Sequence, residues 1–315
     1  MRSIRLESIR DAAGAIYDPV VRTPLVQVDF DGSTSLYLKL ETFQPVGSFK
    51  IRGAYNAVRR LSPAERAGGV WTVSAGNAAQ GVALAARRLG TSCAVLVFDS
   101  APVSKLQAIE RFGARIVKAS YEECWQTVER HASDRMTGRF VHPFDDDDFI
   151  AGNGTIGIEI VDDLPEVDIV IAAIGGGGLL AGVASALRAL KPNVKIYAAE
   201  PETAAPLQAS LAVGHATSAR NWQASFVDGA GGMSVLPSMW PLLSSLLDGS
   251  IVVTLDEARR AMRLVAERAH VICEGAAACA VAAALSGRAG RGRTVAIVSG
   301  GNIDLPRFAT LVEGV

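Results

Sequence analysis

Short apolar runs rich in β-branched residues recur along the chain, separated by stretches whose apolar positions fall at helical spacing. Leu36-Tyr37-Leu38-Lys39-Leu40 carries the alternation of a strand. Val70–Val73, Cys93–Phe98, Arg115–Lys118, Asp168–Ile174, Lys195–Ala199 and Thr294–Val298 read as further strands, and Phe140-Val141-His142 is strand-like. Between them the spacing predicts helices: an Ala-rich one ending at Leu89, one opening near Pro102 and stopping at Gly113, one from Glu122 to Met136, and one starting near Thr155. The run Asp145-Asp146-Asp147-Asp148 before that last helix reads as a solvated loop rather than a cation site. Strands alternating with amphipathic helices imply right-handed βαβ units and parallel sheets, an α/β fold.

Composition narrows the function classes. With 315 residues, 49% hydrophobic and 20% charged, the chain has material for two domains or one large α/β unit. Lys+Arg 31 against Asp+Glu 32 leaves a net charge of −1, which argues against nucleic acid or an anionic membrane as the main partner. No apolar run reaches about 18 uncharged residues, and the N-terminus has no apolar signal core. Cys93, Cys124, Cys273 and Cys279 form no CxxC pair and read as buried thiols in a reducing, cytoplasmic compartment. His131, His142, His215 and His270 show no metal-ligand spacing, and none is assigned to chemistry.

Candidate chemistry lies at strand ends. Lys50 follows Phe49 directly, where a strand hands over to a helix; taken alone it reads as a surface lysine. Ser74-Ala75-Gly76-Asn77-Ala78-Ala79-Gln80-Gly81 follows Val70–Val73 with a hydroxyl, a glycine and an amide, suited to a carboxylate and a polar ring substituent; ordinary capping by Ser74 is the plainer alternative. Gly175-Gly176-Gly177-Gly178-Leu179 follows Asp168–Ile174, and four glycines let backbone N–H groups close around a phosphate. A dinucleotide reading competes, because Glu200 ends the next strand, but Gly176-x-Gly178-x-x-x-Gly182 departs from GxGxxG. Ser299-Gly300-Gly301-Asn302 follows Thr294–Val298, where the alternative is a plain turn. A lysine, a phosphate cradle, a carboxylate loop and an isolated serine are together what pyridoxal phosphate and an amino-acid substrate need.

Ser48-Phe49-Lys50-Ile51-Arg52-Gly53-Ala54, Ser74-Ala75-Gly76-Asn77, Ile150-Ala151-Gly152-Asn153-Gly154-Thr155, Gly175–Gly178 and Ser299-Gly300-Gly301-Asn302 resemble the fold-type II pyridoxal phosphate enzymes, in family order from about residue 20 to 310. The branch resembled is that of the threonine/serine dehydratases and serine racemases. The resemblance implies a tryptophan synthase β-like architecture of two mostly parallel, helix-flanked domains. The large cofactor-binding one comprises 1–64 and 143–315, and a small mobile one is inserted at 65–142. It implies that Lys50 holds the cofactor, flanked by Phe49, and moves the Cα proton. Gly175, Gly176, Gly177, Gly178 and the N–H of Leu179 would hold the phosphate, Asn77 the 3′-oxygen and Ser299 the ring nitrogen. Ser74, with Ala75, Gly76, Asn77 and Ala78, would take the substrate carboxylate. A neutral serine at the ring nitrogen makes a weaker electron sink, favouring loss of a β-hydroxyl over long-lived carbanion chemistry. The implied activity is an ammonia-lyase reaction on a β-hydroxy amino acid, giving a 2-oxo acid and ammonia.

Departures from the family pattern shape the expectation further. Ala75 stands where the racemases carry a serine as second base, and Ala78 where most relatives carry a histidine. With Phe144 preceding the acidic run, a β-substituent larger than threonine's methyl, such as the aryl group of phenylserine, is expected to fit. Glu200 matches one acid of the metal-binding relatives, but Pro206 replaces the second, so Glu200 is only a weak candidate for a divalent cation. Little chain follows Asn302-Ile303-Asp304-Leu305, so no regulatory domain is expected and a catabolic role fits. Racemisation or β-replacement on the same fold are the alternatives within the family; a silent pyridoxal phosphate binder and an NAD-dependent dehydrogenase are those outside it. Glu274-Gly275-Ala276 opens an Ala-rich helix that is a candidate for lying near the cofactor, with acidic charge at a helix start as the plainer reading; Asp228-Gly229 reads as a turn, and a homodimer is the default assembly.

Overall fold

The strand–helix alternation folds into two separate sheets. In the computed structural model, which describes residues 2–30 and 35–315, the strands are β1 (Leu25–Gln27), β2 (Leu36–Leu40), β3 (Val70–Val73), β4 (Cys93–Phe98), β5 (Arg115–Ala119), β6 (Arg139–Phe140), β7 (Ile169–Ala173), β8 (Lys195–Pro201), β9 (Gly249–Val253) and β10 (Thr294–Val298). One sheet has the order β1-β2-β10-β7-β8-β9 and the other β5-β4-β3-β6. Every pairing is parallel except β1 with β2. Helices cover the sheets, so the central strands are buried along their length: all of Ile169–Ala173 lies in the core. This is the expected α/β architecture of parallel sheets flanked by helices.

Topology brings distant motifs together. The last strand, β10, inserts between β2 and β7, with Thr294 opposite Leu36 on one side and Ile169 on the other. The segment after β10 therefore lies beside the segment that leads from β2 into the helix Lys50–Arg60. Ser48 pairs with Gly300 in an isolated bridge, and the N–H of Phe49 donates to the Ser299 carbonyl at 3.0 Å. The helix Lys50–Arg60 is clasped by the helices Asn77–Arg88 and Asp147–Asp163 at glycines. A side chain at Gly81 would press on the Lys50 backbone at 3.1 Å, and one at Gly152 would meet the Arg52 carbonyl.

Beneath that helix lies a closed ionic cluster. Arg52 reaches Glu41 through Nε (2.8 Å) and Glu159 through a terminal nitrogen (2.6 Å), and Lys39 pairs with Glu159 at 2.6 Å; all four side chains have zero exposure. Thr23, Gln44, Tyr17 and Thr155 supply further hydrogen bonds, so the charges are compensated and saturated. The guanidinium of Arg52 is held above its ordinary range by Glu41 and Glu159 against desolvation, and Glu159 is held below its own by Arg52 and Lys39.

Three sequence expectations are corrected. The helix expected over Glu122–Met136 spans Tyr121–Arg130, because His131 turns left-handed (φ 55) and stacks on His142 with ring centroids 4.4 Å apart. The acidic run is not a solvated loop. Asp145 is 6% exposed and ion-paired with Arg2, Asp146 caps the next helix by accepting from the Phe149 N–H at 2.8 Å, and Asp147 and Asp148 lie in its first turn. That helix accordingly starts at Asp147, not near Thr155. Asp228-Gly229 lies in a single 3₁₀ turn, Asp228–Ala230, in keeping with the turn expected there. No helix among the described residues is long and apolar enough to cross a membrane.

Candidate active site

Lys50 opens the helix Lys50–Arg60 with Phe49 at the N-cap. Its Nζ donates to the Pro143 carbonyl at 2.6 Å and lies 5.2 and 5.4 Å from the ring centroids of Phe49 and Phe149. Half-buried, with its Nζ against a carbonyl and two rings, the amine is pushed down to about 8 by desolvation, with Glu274 opposing that shift. Near neutral pH a useful fraction is therefore the neutral nucleophile, which a surface lysine cannot offer. The plain reading of Lys50 as a solvated surface residue is thereby replaced.

The loops after β3 and β10 meet beside the segment that carries this amine. Asn302 donates from Nδ2 both to the Val46 carbonyl (2.8 Å) and to Asn77 Oδ1 (2.7 Å), and Asn77 Nδ2 donates to Glu274 Oε1 at 2.7 Å. Gly301 N–H donates to the Gly47 carbonyl at 2.9 Å, and Glu274 N–H to that of Gly300 at 3.0 Å. The loop after β10 is thus stitched to the Lys50 segment on one side and to the Asn77 loop on the other. Ser299 is 4% exposed within it. Ser74 does not cap the helix Asn77–Arg88, whose N-cap is Gly76; its Oγ accepts from the Gly76 N–H at 3.1 Å, shaping the loop instead. Ala75 and Ala78 are buried on the same turn.

The glycine run forms a cradle that Cβ atoms would fill. Gly177 has φ 92, a left-handed value that favours glycine. Side chains at Gly175 and Gly176 would run into the Gly229 carbonyl and the Phe144 ring, and one at Gly178 would come within 2.6 Å of the Phe144 carbonyl. The helix Gly178–Leu190 starts here, so the N–H groups of Gly178 and Leu179 belong to a first turn without intrahelical acceptors, a ready anion site. Two buried polar atoms lack partners nearby: Asn153 Oδ1 beside the cradle, whose Nδ2 donates to the Gly178 carbonyl at 3.2 Å, and Ser48 Oγ beside Gly300 in the loop after β10. A lysine with lowered basicity, a phosphate cradle and unsatisfied polar atoms fit pyridoxal phosphate. Phe144, expected near the substrate, is half-buried and packs on this cradle.

Glu200 is used elsewhere. Its carboxylate accepts from the N–H groups of Leu207 (2.7 Å) and Gln208 (2.8 Å) and from Ser250 Oγ, which fixes the start of the helix Pro206–Val213. Neither a ribose nor a cation needs to be invoked for it. Two features escaped the sequence reading. His131, His142 and Asp145 come together, but His142 Nδ1 accepts from the N–H groups of Phe144 (3.2 Å) and Asp145 (2.7 Å) while Nε2 faces the Val128 carbonyl (3.2 Å), so this ring is a brace for the Phe144 segment. Glu274 is more than acidic charge at a helix start: it makes no capping bond and turns to Asn77. No sequence signal marks its partner, which is 197 residues away.

Comparison with known proteins agrees with this geometry. The family model described as "Pyridoxal-phosphate dependent enzyme" matches residues 16–300. An L-threonine ammonia-lyase of Thermotoga maritima is 38% identical over 316 residues, covering 98% of this chain and 78% of that protein. The structure of maize serine racemase superposes with a TM-score of 0.89 at 33% identity, over 98% of this chain and 97% of that one. The processed form of threonine deaminase isoform 2 from Solanum lycopersicum gives 0.88 at 32% identity, over 100% and 96%. The nicotinamide-dependent reading is overturned, and the chain belongs to the pyridoxal-phosphate-dependent enzyme family.

Proposed function

We propose that this enzyme is a dehydratase of β-hydroxy amino acids, an ammonia-lyase that releases a 2-oxo acid and ammonia. The observation that carries the reading is Lys50: a desolvated amine that opens a helix, beside the loops that follow β3 and β10. Relatives with full-length similarity are named for threonine deamination. Pyridoxal phosphate, when bound, supplies the electron sink that makes an amino acid's Cα proton removable. Lys50 Nζ would hold the cofactor and serve as the base at Cα. Gly175, Gly176, Gly177, Gly178 and Leu179 would hold its phosphate, with Phe49 lining the lysine. Asn77 would serve the 3′-oxygen and Ser299 the ring nitrogen. Ser74, Ala75, Gly76 and Ala78 form the carboxylate loop, with Phe144 at the β-substituent. Ala75 bears no proton-transferring group, which favours elimination over racemisation.

Residues 65–142 act as a small domain that closes over substrate and excludes water. Lys105 Nζ on Asp228 (2.7 Å) and Ser104 Oγ on Asp304 (3.3 Å) supply the contacts for such a closure. The four free, buried cysteines support a reducing, cytoplasmic location, and a homodimer is the default symmetric assembly.

The test is release of 2-oxo acid and ammonia from L-threonine, L-serine and L-threo-phenylserine, with Lys50→Ala as control. Release from at least one, abolished in the variant, is expected; the rank order reports the size of the β-pocket. A protein that takes up the cofactor and releases nothing from any of the three would overturn the reading.

A further inference from the structure

Glu274 sits at the N-cap position of the helix Gly275–Leu285, where a carboxylate ordinarily accepts from the first-turn N–H groups. It does not. Its Oε1 accepts from Asn77 Nδ2 instead, and Gly300 leaves room for it: a Cβ there would lie 2.8 Å from that same oxygen. The carboxyl therefore lies between the Asn77 loop and the Ser299-Gly300 loop, the two that flank Lys50. The bonding capacity of Asn77 can be followed atom by atom. Its oxygen accepts from Asn302, and one of its two amide hydrogens goes to Glu274. The other remains available to a ring substituent.

The surroundings of Glu274 are sparse in compensating charge. Lys50 and Lys105 face it as cations and Asp228 as an anion, while the adjacent Cys273 thiol is neutral. Lys105 is itself paired with Asp228, which leaves Lys50 as the cation without a carboxylate in contact. Desolvation pushes the Glu274 carboxyl up to about 7, so it changes charge in the range where the enzyme works.

We propose that Glu274 is a positioning residue of this site, fixing the Asn77 amide toward the cofactor ring and, by its charge, holding a proton on the Lys50 nitrogen. This rests on the dehydratase reading and adds to it the group that sets the protonation of the cofactor-bearing lysine. A residue serving only the fold would move stability but not the titration of the cofactor.

The test uses the holoenzyme and the visible absorption of its bound cofactor as a function of pH, in wild type, Glu274→Gln and Glu274→Ala. Glutamine keeps an acceptor for Asn77 but carries no charge. The pH at which the visible band is lost is expected to fall by about one unit in Glu274→Gln, since a neighbouring anion favours the protonated nitrogen. Glu274→Ala should show the same fall and also release cofactor about tenfold more readily, because Asn77 loses its anchor. A Glu274→Gln curve superimposable on wild type would overturn the proposal. If the variants do not fold, infrared difference titration of wild-type holoenzyme decides: a protonated carboxyl band lost near neutral pH, and lost only at higher pH in Asn77→Ala, where the carboxylate loses its donor, supports it, and no such band overturns it. Failure of the wild-type protein to acquire a visible band at all would instead count against the dehydratase reading.

Discussion

Lys50 and Arg52 are two residues apart on one helix, and the structure treats their charges in opposite ways. Arg52 is fully enclosed, but two carboxylates and a second cation enclose it too, and every partner is hydrogen-bonded. Lys50 is half-buried, and its Nζ has only a carbonyl in contact and a carboxyl beyond it. In the first cluster Arg52 is held above its ordinary range and Glu159 below it, so both stay charged. In the second, Lys50 moves down to about 8 and Glu274 up to about 7, both toward neutrality. A saturated ion cluster fixes geometry, whereas an undersaturated one keeps protons mobile near neutral pH. The helix thus carries its anchor and its candidate reactive group within a single turn.

Three substitutions would break or sharpen this contrast. The largest effect is expected for Lys50→Ala, which should lower 2-oxo acid release by at least about a thousandfold. Its melting temperature should stay level or rise, because a poorly compensated ammonium is removed. The same amine gives a pH prediction for cofactor-free wild type. Only the neutral form attacks an aldehyde, so the rate of cofactor uptake, followed by absorbance, should rise with pH and level off above about 8.

Arg52→Met should do the reverse. Leaving Glu41 enclosed without a cation, and Glu159 with Lys39 alone, should destabilise the fold by about 3–5 kcal/mol in urea titration. The folded fraction should keep the wild-type pH dependence of its visible band, since the Lys50–Glu274 pair is untouched. A shift in that dependence would mean that the two clusters are coupled. The smallest effect is expected at the cradle. Gly176→Ala places a methyl against the Phe144 ring. Overpacking of about 1–3 kcal/mol should appear as a cofactor Kd weaker by about ten- to a hundredfold, with stability little changed.

The glycine and serine motifs at the ends of β3, β7 and β10 were legible in the sequence because they follow apolar runs at strand spacing, and local order is what such periodicity encodes. The loops after β3 and β10 lie beside the Lys50 segment in the structure. The partners of Glu274 and Arg52 were not legible. Arg52 stands in the Lys50 motif, but nothing local shows that Glu41 and Glu159 will enclose it. The acidic run was misread for the same reason: four adjacent aspartates read as a solvated loop, yet Arg2, 143 residues away, neutralises Asp145, and Asp146 is a helix cap.

The order of strands and helices, the placement of reactive residues at strand ends and the glycines of the cradle were determined by the sequence itself, since each depends on neighbours a few positions away. Tertiary structure alone decided which charges are compensated. Insertion of β10 between β2 and β7 brings Ser299–Asn302 against Ser48–Lys50. Packing then decides that Arg52 finds two carboxylates while Lys50 finds a carbonyl. Desolvation and pairing act through space, so a group's basicity depends on what the fold sets around it.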